Sequence, residues 1–187
     1  MYPRMVWHAY EPADDAQSAA MHSVFKRRLD VVPRLRDADV VLSLDSRLLD
    51  AGPRQIAMAR AFADRRRVRR ETKDMLRLYA VEPVPTLTGA SADHVFPASP
   101  SDMERVACEI AKRLGAGVPD PALRGPLSSF ADAVFNDLDS HQGRGIVLAG
   151  PTLSPDVQAL VVWINAKLNA PFTYLDPVRQ RRPAWSP

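Results

Sequence analysis

Three short apolar runs constrain the fold of this chain most strongly. They occupy residues 39–44 (Asp-Val-Val-Leu-Ser-Leu), 78–81 (Leu-Tyr-Ala-Val) and 146–149 (Ile-Val-Leu-Ala). A continuous apolar run of this length is typical of a strand that is buried on both faces, as in parallel sheets covered by helices. Segments with helical periodicity separate and follow the runs, and this alternation predicts an α/β domain.

The helical segments carry apolar side chains at intervals of three and four residues. Gly52 and Pro53 open the first, which is predicted to turn Ile56, Ala59, Phe62 and Ala63 toward the core. Ser101 and Glu104 have the spacing of a capping box at the start of the next. The inward positions of the later helices are Met103, Val106, Ala107, Ile110 and Leu114; then Leu127, Phe130, Ala131, Val134 and Leu138; then Val157, Leu160, Val161, Ile164 and Leu168.

These elements predict a mainly parallel, Rossmann-like sheet of about four strands, built from two βαβ units with helices on both faces. Residues 172–174 are predicted to be its last strand, residues 5–9 a further short strand, and residues 84–100 a loop. The expected organisation is a first α/β unit over 1–117 and a second βαβ unit over 118–178, packed together as one domain. Residues 179–187 form a basic, proline-rich tail.

Composition excludes several classes of protein. Cys108 is the only cysteine, so the chain by itself cannot form a disulfide, a thiolate zinc site, an iron–sulfur cluster or a C-x-x-C-H heme attachment. No apolar run approaches the roughly 18 residues that span a bilayer, so direct membrane insertion is not expected. The first residues lack the pattern of a signal peptide, and the bare sequence therefore predicts a cytoplasmic protein.

Neither phosphate-binding loops nor a reactive centre are visible. The chain contains no G-x-G-x-x-G and no G-x-x-x-x-G-K-[ST]. The turn after Leu44 has Asp45 where a dinucleotide fold needs glycine, and Pro151 removes an N–H donor from the turn after Ala149. The four histidines are scattered, and Cys108 is predicted to be a buried, inert thiol. We therefore expect no catalytic residue, no metal site, no cofactor of its own and no enzymatic activity.

Four polar residues near the carboxyl ends of the predicted strands are candidates for a binding site, namely Asp45, Glu82, Thr86 and Thr88; Asp93 is added to them by the resemblance described below. Parallel α/β sheets bind ligands beyond these ends, where carboxylates commonly accept hydrogen bonds from ribose hydroxyls. Asp93 and His94 are either an acid–base pair or part of an Asx-type loop, in which Asp93 anchors the backbone; we favour the anchor.

The strongest local charge is residues 65–70, with five arginines and one valine. Such a run can contact nucleic acid or an acidic protein, or it can complement the dipole at the end of a helix. Net charge is only +3, and no aromatic residues alternate with the arginines, which disfavours binding to single-stranded nucleic acid.

Taken together, several segments resemble a known family. They are residues 10–12 (Tyr-Glu-Pro), 38–45 (Ala-Asp-Val-Val-Leu-Ser-Leu-Asp), the helix from Gly52 into 63–67, residues 78–83, and Pro-Thr-Leu-Thr-Gly-Ala at 85–90 with Ala-Asp-His at 92–94. This series is similar to the molybdopterin-oxidoreductase-like region of the iron–sulfur subunit of alternative complex III, a quinol:electron-acceptor oxidoreductase. Residues 143–169 and 174–177 resemble the later lobe of the same region.

The resemblance implies a Rossmann-like lobe without redox activity. In molybdenum enzymes the corresponding lobe holds one arm of a guanine-dinucleotide cofactor, and Asp45, Glu82, Thr86, Thr88 and Asp93 match positions that line it. In the alternative complex III subunit this region is regarded as a scaffold lacking the cofactor. The implied function is a non-catalytic scaffold or assembly lobe, whose partners are iron–sulfur, heme or membrane quinol subunits at the periplasmic face of the inner membrane. The alternatives are a nucleotide- or molybdopterin-dinucleotide-binding domain and a nucleic-acid-binding protein.

Overall fold

The computed structural model describes residues 16–50, 52, 54–68 and 74–176. The predicted strand at 5–9, the helix-opening Pro53 and the tail at 179–187 lie outside these residues. Outside them, too, are Arg69 and Arg70 of the arginine run.

The described chain alternates helices and strands, and no helix in this part of the chain is long and apolar enough to cross a membrane. In chain order the elements are α1 (Ala16–Phe25), β1 (Asp30–Pro33), a 3-10 turn (Leu35–Asp37), β2 (Val40–Leu44), α2 (Gln55–Arg66), β3 (Arg77–Glu82), α3 (Leu87–Ala90), β4 (His94–Pro97), α4 (Pro100–Arg113), α5 (Gly125–Ser140), β5 (Gly145–Ala149), α6 (Pro155–Lys167) and β6 (Phe172–Leu175).

The main sheet has four parallel strands in the order β4-β3-β2-β5, which confirms the predicted Rossmann-like α/β fold. The chain runs from β2 outward to β3 and β4, and then returns to place β5 on the other side of β2. Val40–Leu44 pairs residue by residue with 77–81 on one side and with 145–149 on the other. The direction in which strands are added to the sheet therefore reverses between β2 and β5. The carboxyl ends of these two strands form the reversal point.

Two of the predicted strand assignments were wrong. The fourth strand of the main sheet is β4, which lies in the segment predicted as a loop; its side chains are mostly exposed, so it lacks the apolar run of a buried strand. β6 does not join this sheet but pairs antiparallel with β1 in a separate two-stranded ribbon. The second βαβ unit is therefore absent, because its last strand lies outside the parallel sheet.

The two faces of the main sheet are covered unequally. Val40, Leu42 and Leu44 face a large apolar cluster to which α4, α5 and α6 contribute most of the helical side chains. Val41 faces a smaller cluster on the other side, in which Ala61 and Phe62 are the only buried residues of α2. Helices lie on both faces as predicted, but one face has much less cover.

Two positions of α2, one in each half, depart from the predicted apolar stripe. Ala61 and Phe62 are buried, whereas Ile56 is 84% exposed and Ala63 is exposed as well. The helix contacts the 3-10 turn, and the backbone of Arg54 before it has a left-handed conformation with φ of 67°. This entry turns the first residues of α2 away from the core.

The start of α4 also differs from the prediction. The capping residue is Ser99, whose hydroxyl accepts a hydrogen bond from the N–H of Asp102, and the Asp102 side chain completes the capping box. Pro100 takes the first helical position, where its missing N–H costs nothing. The cap therefore lies two residues before the predicted Ser101.

Candidate functional site

Asp45 is the candidate residue that lies at the reversal of strand order. It follows β2 directly, and its backbone N–H donates to the carbonyl of Val81 in β3. Its side chain is only 4% exposed, and its Oδ2 accepts a hydrogen bond of 2.8 Å from the Thr152 hydroxyl in the turn after β5. The buried Oδ1 atom has no hydrogen-bond partner among the described residues. A buried carboxylate oxygen without a partner is costly.

The turn that carries Asp45 has an unusual backbone. Asp45 and Arg47 both adopt left-handed conformations with φ of 50°. Two non-glycine residues in this region within three positions indicate strain, which is common near binding sites. The Arg47 Nε lies 3.9 Å from Oδ1 of Asp45, too far for a hydrogen bond, and the Arg47 side chain is half exposed. The cation therefore only partly compensates the buried charge.

Gly150 brings the turns after β2 and β5 into direct contact. A Cβ atom on Gly150 would overlap the backbone carbonyl of Asp45, so no other residue fits without a shift. The Gly150 N–H donates to the carbonyl of Leu44 at 2.8 Å, and the Gln158 side-chain amide donates to the Gly150 carbonyl at 2.6 Å. This glycine thus serves close packing within the chain rather than the approach of a phosphate group.

Glu82 and Thr86 form a closed pair at the end of β3. The buried Glu82 carboxylate accepts hydrogen bonds from the Thr86 N–H at 2.9 Å and from its hydroxyl at 2.7 Å. The Thr86 hydroxyl accepts in turn from the N–H of Gly89 and caps α3. Gly89 lies so close that a Cβ atom there would overlap the Glu82 carboxyl group. Both candidate side chains are therefore used to hold the turn from β3 into α3.

Thr88 is fully buried and joins α3 to the loop after β2. Its hydroxyl donates to Oδ2 of Asp50 at 2.9 Å and accepts from the N–H of Leu49 at 3.0 Å. The Asp50 carboxylate also accepts from the N–H groups of Leu87 and Thr88, each at 3.3 Å. Asp50 thereby satisfies free N–H groups at the start of α3. Sequence reasoning missed Asp50, which has no motif around it.

Asp93 lies at the amino ends of the strands, whereas the other four candidates lie at the carboxyl ends. Its carboxylate accepts from the N–H of Leu78, at the start of β3, at 2.8 Å, and pairs with both terminal nitrogens of Arg66 at 2.5 and 2.9 Å. Although partial burial acts to raise it, the hydrogen bonds from Arg66 and Leu78 hold the pKa of Asp93 below its ordinary value. The Asp93 side chain is therefore an anchor between the start of β3 and α2, and it does not form the predicted Asx-type bond to the backbone of its own loop.

Two of the three described arginines of the 65–70 run, Arg65 and Arg66, are engaged by carboxylates, whereas Arg67 is exposed. Arg65 pairs with Asp39 at 2.5 Å, and Arg66 pairs with Asp93. Asp39 also accepts from Arg144, so one carboxylate joins the amino end of β2 to α2 and to the segment before β5. The guanidinium groups of Arg65 and Arg66 are therefore used within the fold, and no geometric observation favours the binding of nucleic acid.

Cys108 is partly buried in α4. Burial raises the pKa of its thiol, and the nearby Glu104 carboxylate acts in the same direction. The reactive thiolate is correspondingly disfavoured at neutral pH. In the part of the chain that the structure describes, no group of three or more His, Cys, Asp and Glu side chains is arranged to hold a metal ion.

A cavity of about 540 Å³ lies beside the reversal point. Ser46, Arg47, Pro151 and Gln158 line its end near the turns after β2 and β5. None of the five candidate residues is part of its lining. Sequence reasoning also missed Gln158; the available signal was a polar residue beside the apolar stripe of α6, because buried polar side chains need specific partners.

Comparison with known proteins leaves the chain without an assigned family. No protein-family model matches it, and no curated protein matches it. A Rossmann-like fold hosts many unrelated functions, so function has to be argued from the site itself.

Proposed function

We propose that this chain is a non-catalytic scaffold lobe, similar to the molybdopterin-oxidoreductase-like lobe of alternative complex III. In this proposal it joins other subunits of a membrane-associated electron-transfer complex at the periplasmic face of the inner membrane. The observation that carries the proposal is the use of the strand-end polar groups: Glu82, Thr86 and Thr88 are bonded within the chain.

These hydrogen bonds leave few free donors or acceptors that a dinucleotide could bind. The Glu82 carboxylate already accepts two hydrogen bonds from Thr86, and the Thr88 hydroxyl both donates and accepts. A ligand that engaged them would first have to break buried bonds, and each unsatisfied buried group costs about 1–3 kcal/mol. Asp93 lies at the far edge and would not reach the same ligand. This arrangement supports a lobe whose former binding residues now stabilise its own turns.

The unequal cover of the sheet also supports a docking role. One face is covered by three long helices, whereas the face of Val41 is covered by α2 and the 3-10 turn, with Ala61 and Phe62 as the only buried residues of α2. A lobe that functions in a larger assembly is expected to leave apolar surface where neighbouring lobes pack.

The test is affinity isolation of the tagged full-length chain from its native cells, followed by mass spectrometry. Expected are iron–sulfur, heme or quinol-oxidising subunits in fixed stoichiometry with the chain. The chain purified alone is expected to show no visible absorption band and no bound molybdenum or iron. Stoichiometric molybdenum or iron in the isolated chain, or isolation without any redox subunit, would contradict the proposal.

One observation favours a second candidate function, the binding of a nucleotide or a molybdopterin dinucleotide. The unpartnered Oδ1 atom of Asp45 lies at the reversal of strand order, where sheets of this type bind ligands. A carboxylate there would accept a hydrogen bond from a hydroxyl or an amino group of the ligand.

Calorimetry with guanosine mono- and diphosphate tests this candidate directly. Binding is expected for the wild-type chain and is expected to be lost in Asp45→Asn. The matched control is Asp139→Asn on the exposed end of α5, which should bind as the wild type does. Absence of heat at millimolar nucleotide would count against this second function and leave the scaffold proposal standing.

A further inference from the structure

The first half of α2 presents an uncovered apolar surface. Ile56 is 84% exposed, and only Ala61 and Phe62 of the whole helix are buried. The helix is therefore held to the sheet mainly through its second half, and in the first half Met58 packs partly buried against the smaller apolar cluster. A leucine-sized side chain exposed on a helix is ordinary by itself, so the surroundings of Ile56 decide what it indicates.

A broad depression surrounds this part of α2. A cavity of about 850 Å³ lies between α2 and the 3-10 turn. It adjoins the cavity of about 540 Å³ near β5, and both are lined by Pro33, Arg54, Gln55 and Met58. We call this continuous depression the α2 groove. Its apolar lining includes Pro33, Leu35, Ile56, Met58, Ala61 and Phe172.

The rim of the α2 groove is strongly basic. Arg34, Arg36, Arg54 and Arg60 line the larger cavity, and among the described residues of its lining Asp37 is the only acidic one. Arg60 has no ion pair among the described residues. The other three arginines have single acidic neighbours at 3.3 to 3.7 Å, namely Asp37, Asp64 and Asp30.

These three ion pairs are easily exchanged. The side chains of Arg34 and Asp37 are both 54% exposed, and the other two pairs are similarly open to solvent. Exposed pairs of this kind contribute about 0–1 kcal/mol, so the arginines can turn to a partner's carboxylates at little cost. An apolar depression rimmed by available guanidinium groups has the composition of an interface centre, in which arginine is enriched.

We propose that the α2 groove binds an amphipathic helix of a partner subunit, with an apolar face flanked by aspartate and glutamate. Helix-in-groove recognition uses apolar anchors spaced along one helical face, and a helix of 10–12 Å diameter fits beside α2. The charge of the rim selects an acidic partner. This inference rests on the proposed scaffold function and names the chemistry of one of its partners.

A second copy of the chain is a poorer occupant. In a two-fold symmetric dimer the same surface meets itself, so Arg36 and Arg60 of one copy would face the arginines of the other. Like charges brought together in an interface oppose association. The surplus of arginine over acid in the lining therefore favours a different, acidic chain.

The test uses two designed 18-residue helical peptides and the full-length protein. Both peptides carry leucine along one face; one has glutamate on the flanks and the other has lysine at the same positions. In fluorescence anisotropy we expect the glutamate peptide to bind, the lysine peptide to bind at least tenfold more weakly, and the affinity to fall with added salt.

Two variants locate the binding surface. Ile56→Asp and Arg60→Glu are each expected to weaken binding of the glutamate peptide at least tenfold, and both positions are exposed enough to leave the fold intact. The controls are Val95→Asp on β4 and Arg105→Glu on α4, which make the same kinds of change at exposed residues outside the α2 groove and should bind as wild type. Circular dichroism confirms folding of each variant.

Several outcomes would overturn the inference. They are equal binding of the two peptides, no binding of either, or unchanged binding by Ile56→Asp and Arg60→Glu. A wild-type dimer in sedimentation that Ile56→Asp dissociates would make a second copy the occupant. A peptide of residues 1–15 that binds the groove more tightly than the designed peptide would make the chain's own first segment the occupant.

The scaffold function and the α2 groove can fail separately. If Ile56→Asp isolates from native cells with the same redox subunits as the wild type, the groove is not their docking site, although the scaffold function stands. If the wild type isolates without redox subunits but binds the glutamate peptide through Ile56, the groove stands and the electron-transfer assignment falls.

Discussion

The side-chain amide of Asn165 forms two hydrogen bonds with the backbone of Val147. Its Nδ2 donates to the Val147 carbonyl at 2.7 Å, and its Oδ1 accepts from the Val147 N–H at 2.9 Å. An amide that donates and accepts in this way mimics the backbone of a neighbouring strand. β5 lies at an edge of the main sheet, and Asn165 satisfies backbone groups there that another strand would otherwise bind.

Removal of the Asn165 amide is expected to destabilise the fold. Asn165→Ala leaves a buried N–H and a buried carbonyl without partners, which should lower the free energy of unfolding by about 2 kcal/mol in urea denaturation. Asn136→Ala, an exposed change in α5, is the control and should stay within about 0.5 kcal/mol of wild type. Equal effects of the two substitutions would show that the edge of β5 does not depend on Asn165.

A methyl group at position 89 is expected to disrupt the turn from β3 into α3. In Gly89→Ala the new carbon overlaps the Glu82 carboxylate, which holds both the N–H and the hydroxyl of Thr86. Overpacking of this kind costs about 1–3 kcal/mol in unfolding free energy. Gly117→Ala, which meets no atom within 4 Å, should change stability by less than about 0.5 kcal/mol. A neutral Gly89→Ala would mean that Glu82 has room to move.

Asp93 should contribute stability that depends on pH. Its pKa is lowered in the folded chain, so its contribution is present above the pKa of the unfolded chain and is lost as pH falls through the folded value. The difference in unfolding free energy between wild type and Asp93→Asn should therefore be constant above about pH 5 and shrink below about pH 4. Urea denaturation of both proteins above and below this pH range measures the difference in unfolding free energy. An equal difference at high and at low pH would contradict the anchor role of Asp93.

The negative charge of Asp45 is expected to be dispensable for the stability of the fold. Asn tolerates the left-handed backbone and keeps an oxygen for Thr152, so Asp45→Asn should equal or exceed the wild-type unfolding free energy by up to about 1 kcal/mol. Asp45→Ala loses the bond from Thr152 and fits the backbone poorly, so it should cost about 1–2 kcal/mol. Equal losses in both variants would show that the charge itself stabilises the chain.

The central part of the fold is predictable from sequence because its signal is local. β2, β3 and β5 carry consecutive apolar residues, and α4, α5 and α6 carry apolar stripes that face the large cluster. β4 carries no such signal, since it is short and mostly exposed. β6 is predicted as a strand, but nothing in its local pattern shows that it pairs with β1. The bonds from Asn165 to the edge of β5 are equally hidden from the local pattern, because Asn165 is 18 residues from Val147 in sequence.

The candidate site is predictable in composition but not in its bonding. The sequence places Asp45, Glu82, Thr86 and Thr88 near strand ends, and the structure puts all four at the carboxyl edge. The sequence does not show that Glu82 and Thr86 bond to each other, nor that Asp50 binds Thr88 from another loop; the structure shows both. Such pairings depend on side-chain geometry in three dimensions, which spacing along the chain does not specify.

The position of β2 has a consequence for how the chain could be divided. β2 pairs with β3 on one side and with β5 on the other, so the segments 1–117 and 118–178 share one central strand. A protease that cuts the exposed connection between α4 and α5 would break the covalent link between the two halves. The pairing of β5 with β2 would still hold them together in the folded sheet. Two fragments made separately should accordingly recover the native fold only when mixed, as a non-covalent complex in which β5 reassembles against β2.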